Sequence, residues 1–112
     1  MTDTIFGKIA RGEIPAKLVA ESAHCIAFRD IAPQAPVHVL VIPRASYASL
    51  NDVDDAVVLG DLLSLARKVA KQEGLADDGY RVVINTNKNG GQSVYHLHAH
   101  VLGGRAMAWP PG

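Results

Sequence analysis

Three of the five histidines in this 112-residue chain fall at alternate positions, His96, His98 and His100, with Leu97, Ala99, Val101 and Leu102 between and after them. Histidine titrates near neutral pH, so it can serve there as base, acid, nucleophile or metal ligand. If the run is a β-strand, successive side chains point to opposite faces. His96, His98 and His100 then share one face, while Tyr95, Leu97, Ala99 and Val101 lie on the other. Residues two apart advance roughly 6.6 Å along a strand. The three rings therefore form a row that can touch neighbouring atoms of one small anionic ligand or hold a metal.

Immediately upstream stands Gly90-Gly91-Gln92-Ser93. Glycines there let backbone N–H groups turn toward a phosphate without Cβ interference. Asn89-Gly90 also reads as an ordinary hairpin turn, and no helical pattern follows to make a P-loop. A loop that delivers N–H donors and the Ser93 hydroxyl beside three imidazoles has the parts of phosphoryl or nucleotidyl transfer: nucleophile, oxyanion stabilisers and proton donor. A neutral imidazole attacks phosphorus and leaves again from a phosphoramidate, which divides one displacement into two. In such a row the central ring attacks and a neighbour contacts the phosphate oxygens. The rival chemistry is catalytic zinc on three imidazoles with an open fourth position. Three successive same-face residues span about 13 Å of strand, whereas ligand nitrogens lie within about 2.1 Å of zinc. A metal set would thus be His96 and His98 with His38.

The elements that must position these residues follow from apolar spacing. Asp3 or Thr4 caps a short helix over residues 5 to 10, ended by Gly12 and Pro15. Residues 17 to 21 and 25 to 30 form a β-hairpin around Ser22-Ala-His24, with His24 a solvated turn residue. After the turn Pro33-Gln-Ala-Pro36, the run from Val37 to Ile42 is β-branched, continuous and stopped by Pro43, as in a central buried strand. His38 within it reads as a core histidine with satisfied hydrogen bonds. Asn51 or Asp52 caps a long amphipathic helix of about 20 residues by its periodicity, with Val58, Leu62, Leu65 and Val69 on one face and Gly74 as its stop. Residues 80 to 85 make a strand, 86 to 93 a loop, 94 to 102 the histidine strand, and the rest an irregular tail. The order favours an α+β fold: an antiparallel five-stranded sheet with one long and one short helix packed on one side.

Length and the 48% hydrophobic content suit one globular domain, over residues 4–112. Eleven basic and eleven acidic residues give zero formal charge, without the basic excess that binding along polymeric nucleic acid requires. The lone Cys25 forms no intrachain disulfide and reads as a small buried apolar side chain. The N-terminus has no apolar leader and no window nears 18 continuous apolar residues. A cytoplasmic protein with no membrane partner is expected.

The run His96-Leu-His98-Ala-His100-Val-Leu resembles the His-φ-His-φ-His-φ-φ signature of the histidine triad (HIT) superfamily. Thr4-Ile-Phe-Gly-Lys, Glu13-Ile-Pro-Ala-Lys, Phe28-Arg-Asp-Ile, Pro33-Gln-Ala-Pro, Leu40-Val-Ile-Pro, Gly90-Gly-Gln-Ser-Val-Tyr-His96 and Trp109-Pro-Pro-Gly112 extend the likeness to the histidine triad nucleotide-binding (Hint) branch over nearly the whole chain. The resemblance implies a HIT-like fold and a homodimer with a continuous ten-stranded sheet. It implies hydrolysis of purine nucleoside phosphoramidates such as adenylated amines, binding of AMP or GMP, and no metal or other cofactor. On that likeness His98 is the nucleophile that forms a nucleotidyl-histidine, His100 contacts the α-phosphate, His96 backed by His38 completes the polar network, and Ser93 assists the leaving amine. Nucleotide contacts fall on Asn85, Gly91, Gln92 and Ser93, and on Asp30 with Ile31, the carboxylate suiting a ribose diol. The Trp109 tail is expected near the partner subunit's site.

Gly7 and the lone Cys25 leave no Cys-x-x-Cys pair of the kind that holds structural zinc in some relatives, and His100 stands where the superfamily's transferases carry Gln. Ala106 and Ala108 replace larger polar side chains of the tail, which leaves the leaving group open. The alternatives are a dinucleoside polyphosphate hydrolase of the same superfamily, a metal-dependent hydrolase, and a nucleotide-binding interaction module.

Overall fold

The continuous apolar run in the middle of the chain becomes the centre of a sheet. The computed structural model describes residues 3–112. Its strands are β1 (Leu18–Glu21), β2 (Cys25–Arg29), β3 (Val37–Pro43), β4 (Tyr80–Val83) and β5 (Ala99–Gly103), all antiparallel to their neighbours in the order β1-β2-β3-β5-β4. The last strand thus inserts between β3 and β4. Leu40 lies opposite His100 and His38 opposite Leu102, so His38 and His100 are diagonal neighbours on one face.

Two helices cover the sheet. On one side α2 (Ala56–Gln72) buries Val58, Leu62, Leu65 and Val69, the stripe expected from the spacing, against Val39, Val41, Ala99 and Val101. Each such side chain contributes about 1.5–3 kcal/mol by leaving water. On the other side Phe6 and Ile9 of α1 (Ile5–Ala10) pack against Ile26, Phe28, Leu40 and Ile42. The helices therefore lie on opposite faces rather than together on one. The reason is β3 itself: a strand that is apolar at consecutive positions needs cover on both sides. Cys25 is fully buried on the α2 side, and burial pushes its thiol pKa up to about 12.

The helix starts show which local signals win. Thr4 caps α1, its Oγ1 accepting from the Gly7 N–H at 3.0 Å. The long helix begins later than expected, capped by Asp55. Asn51 and Asp52 instead belong to a 3₁₀ turn, Leu50–Asp52, closed by a capping box between Ser49 and Asp52. A short helix, α3 (Asn87–Gly90), occupies part of the expected 86–93 loop, so Asn89-Gly90 is no hairpin turn. Gly91 ends it in the left-handed region, φ +77°. The histidine strand is shorter than its alternation suggests, because regular pairing begins only at Ala99. His96 and His98 precede it, where the Leu97 N–H instead donates to the Tyr47 carbonyl at 2.7 Å. Among the described residues no helix is long and apolar enough to cross a membrane.

Candidate active site

Between α1 and the sheet lies an open cavity of about 880 Å³. Ile5, Phe6 and Ile9 of α1, Ile14 and Ala16 after it, and Phe28 and Leu40 of the sheet make its apolar wall. Asp30 and Ile31, at the end of β2, stand at one edge, and Ser93, Val94, His98 and His100 at another. The volume falls in the range of small-molecule sites, which pair an apolar lining with a few polar groups.

The three histidines of the row have three different partners. The His96 ring is fully buried and its Nε2 donates to the Pro43 carbonyl at 2.9 Å, which ties the segment to the end of β3. Its Nδ1 is buried without a partner, and the ring does not line the cavity. What His96 offers the site is its backbone carbonyl, which accepts from His98 Nδ1 at 2.8 Å. That bond puts the His98 proton on Nδ1 and leaves the lone pair on Nε2, the nitrogen a nucleophile needs. The edge of Phe6 holds the His98 ring in place, with centroids 4.9 Å apart at 79°.

His100 takes its tautomer from further away. The backbone N–H of Gln34 donates to His38 Nδ1 at 3.0 Å. In neutral His38 the proton must then sit on Nε2, which lies 2.9 Å from His100 Nδ1. His100 Nδ1 accepts, so its Nε2 carries a proton and is a donor. A row of one bare nitrogen and one N–H suits attack on phosphorus with simultaneous contact to a phosphate oxygen.

Burial keeps these rings neutral. It pushes the His96, His98 and His38 pKa values down, with the Pro43 carbonyl opposing at His96, the His96 carbonyl and Asp30 opposing at His98, and Asp30 opposing at His38. His100 is pushed furthest, to about 4, because desolvation is joined by the neighbouring His98 and His38 rings. A neutral His98 is the nucleophilic form at neutral pH.

The structure thus brings Asp30, Ile31, Ser93, His98 and His100 to one cavity and places His38 behind His100. Asn85, Gly91 and Gln92 are not among the lining residues. Gln92 is buried and wholly engaged: its amide accepts from the Asn87 N–H at 2.9 Å and donates to the carbonyls of Ala48 at 2.7 Å and Val94 at 3.1 Å. It shapes the loop that carries Ser93. The apolar wall from α1 was not anticipated as part of the site. Its signal was the pairing of Phe6 with Ile9 on one turn of a short helix, an apolar face that needed something to cover. The Gln34 N–H had no signal in side-chain chemistry, since the donor is backbone.

The metal reading meets a hydrogen-bonding obstacle. Among the described residues, the group able to hold an ion is Asp30, His38 and His100, whose ligand atoms lie within 4.8 Å of one another, and not His96 and His98 with His38. A metal on His38 Nε2 would move that ring's proton to Nδ1, directly against the Gln34 N–H donor.

Comparison with known proteins bears on the whole chain. Residues 11–107 match the family described as HIT domain. An uncharacterized HIT-like protein of Synechococcus elongatus is 59% identical over 112 residues, covering 98% of this chain and 97% of that protein. The purine nucleoside phosphoramidase of Escherichia coli K12 is 50% identical over 107 residues, 94% of this chain and 90% of that one. A crystal structure of a HIT family hydrolase from Legionella pneumophila superposes with a TM-score of 0.94 at 54% identity, covering 98% of this chain and all of that one.

Proposed function

This chain belongs to the HIT domain family, and from that premise we propose that it hydrolyses purine nucleoside phosphoramidates through a nucleotidyl-His98 intermediate. The observation that carries the reading is His98 itself. Its Nδ1 is held by the His96 carbonyl, and the ring faces a cavity whose apolar slot suits a purine and whose edge carries the Asp30 carboxylate. The 50% identity to a purine nucleoside phosphoramidase supports the same reaction class.

In this reading the purine lies against Phe6, Ile9, Phe28 and Ile31, and Asp30 accepts from the ribose hydroxyls. Ser93 and His100 border the phosphorus. His98 Nε2 attacks, a P–N bond to the ring forms, and the P–N bond to the amine breaks as solvent water gives the amine a proton, relayed by the Ser93 hydroxyl, which is reprotonated as it donates. The His100 Nε2–H donates to a phosphate oxygen as charge builds on it. Water then attacks the same phosphorus and breaks the bond to His98, releasing the nucleoside monophosphate and returning to solvent the proton that the first step took. No step calls for a metal. We further propose a homodimer, supported by β4, an edge strand with Tyr80 and Val82 exposed, because pairing it with its copy would extend five strands to ten.

Incubation with an adenylated amine, followed by an acid-free quench and intact mass measurement, is expected to show protein heavier by one AMP. His98→Ala is expected to lose both adduct and turnover. Unimpaired turnover in His98→Ala refutes the mechanism.

A further inference from the structure

The proton arrangement at His100 begins at a backbone N–H, so whatever holds residue 34 holds the site. Gln34 sits in the short link between β2 and β3. Its side-chain amide donates to the Ala32 carbonyl at 3.0 Å, and Asp30 Oδ1 accepts from the Ala32 N–H at 2.8 Å. The Gln34 carbonyl is gripped from outside the link: Arg105 Nη2 donates to it at 3.0 Å. The second guanidinium arm donates to the Ala106 carbonyl at 3.1 Å, which fixes the fork against its own chain.

A second contact joins the same two segments. Gly104 has φ +90°, and a Cβ there would lie 2.8 Å from Cβ of Pro36. The turn after β5 is therefore pressed against the 33–36 link, at the end of the sheet where Val37 pairs with Gly103. Only a residue without a side chain permits that approach. The N–H and C=O of Gln34 belong to successive peptide planes, so a grip on the carbonyl restrains the residue whose N–H meets His38.

We propose that Arg105 is a positioning residue that sets the His38 and His100 tautomers by clamping Gln34. It touches neither the cavity nor a reacting atom. The two neutral tautomers of an imidazole differ little in energy, so the Gln34 N–H facing Nδ1, together with Asp30 Oδ2 3.4 Å from Nε2, holds the His38 proton on Nε2. If residue 34 drifts, His38 can carry its proton on Nδ1 and present a lone pair to His100. The His100 proton then moves to Nδ1 and its Nε2 turns from donor to acceptor. An acceptor against a phosphate oxygen repels where a donor attracts.

The kinetic consequence rests on the phosphoramidase reading; the tautomers do not. Nitrogen-15 NMR of the ligand-free wild type at neutral pH is expected to show His38 and His100 each protonated at Nε2, and a proton on His38 Nδ1 overturns the proposal without any variant. Arg105→Met keeps the aliphatic stem and removes the donors. It is expected to average the two ring nitrogens of His100 and to lower kcat about ten-fold with KM within two-fold, since the apolar wall and Asp30 are untouched. Arg105→Lys, which retains one donor, is expected to recover most of both signals. Arg81 Nη2 donates to the Ala108 carbonyl at 2.8 Å and so ties down the tail without touching Gln34. Arg81→Ala is expected to leave the tautomers as they are. Unchanged His100 signals in Arg105→Met, or equal changes in Arg81→Ala, refute the clamp. A wild type that turns over no phosphoramidate refutes the proposed reaction and leaves the NMR test standing.

Discussion

Replacing His100 by Gln is expected to make the protein less sensitive to acid. The His100 pKa lies at about 4 in the fold against an ordinary value of 6.5. A histidine with a lowered folded pKa is protonated more readily in the unfolded chain, so the linkage runs against folding in acid. The stability it contributes is complete above pH 6.5 and is lost as pH falls from there to about 4. At ~1.4 kcal/mol per pKa unit the whole span amounts to about 3 kcal/mol, of which about 2 kcal/mol falls between pH 7 and pH 5. His100 is partly open to the cavity, unlike the buried His96, so solvent screening reduces that share to about 1 kcal/mol.

The assay is urea unfolding of wild type and His100→Gln at pH 7, 6 and 5, at one fixed protein concentration so that any dimer contributes equally. The substitution changes absolute stability through packing, so the quantity compared is the slope against pH. Wild type is expected to lose about 1 kcal/mol more than the variant between pH 7 and pH 5. His96, His98 and His38 remain in both proteins with their pKa values displaced in the same direction, so the variant retains some acid sensitivity. Parallel slopes, or a wild type that gains stability on acidification, would refute the reasoning.

Gln92→Ala removes an acceptor for the Asn87 N–H and donors for the Ala48 and Val94 carbonyls, so a loss of about 2 kcal/mol is expected in urea unfolding, with faster hydrogen exchange at the Asn87 amide. A loss below about 0.5 kcal/mol, a typical surface value, would remove Gln92 as the loop's anchor. Asp30→Asn tests the ribose contact: kcat/KM for a ribonucleoside phosphoramidate is expected to fall about ten- to hundred-fold, as for loss of a charged hydrogen bond, and that for its 2′-deoxy analogue by distinctly less. Because Asp30 Oδ2 also lies 3.4 Å from His38 Nε2, equal losses on both substrates would move its role from the ribose to the histidines.

Much of the scaffold was legible because single residues settle it. Thr4 and Gly12 bound α1, the stripe Val58, Leu62, Leu65 and Val69 fixes the buried face of α2, and Pro36 and Pro43 bracket the interior of β3. The α2 start was less legible because Asn51, Asp52, Asp54 and Asp55 all have capping side chains, and the choice depends on where the chain arrives after the 3₁₀ turn. The two-sided sheet was present in the run from Val37 to Ile42, whose lack of alternation already asks for two covers. Which helix supplies each cover is a question of chain path, and apolar spacing along α1 does not answer it.

The row of histidines shows how an alternating sequence pattern can suggest the wrong local geometry. In a regular strand, carbonyls point sideways toward neighbouring strands while side chains stand perpendicular to the sheet. A ring at position i then has no access to the carbonyl at i−2. His98 does bond the His96 carbonyl, and it does so because β5 begins only at Ala99. Had the alternating stretch formed one continuous strand, three equivalent rings would have shared a face with no means of fixing which nitrogen of each carried its proton. Starting the strand only at Ala99, one residue after His98, separates the three. His96 anchors on Pro43, His98 takes its proton position from His96, and His100, inside the strand, takes its own from His38 across the sheet. The irregular backbone before β5 is thus what gives a repeated residue type one ring with a bare Nε2 and, beside it, one with an Nε2–H.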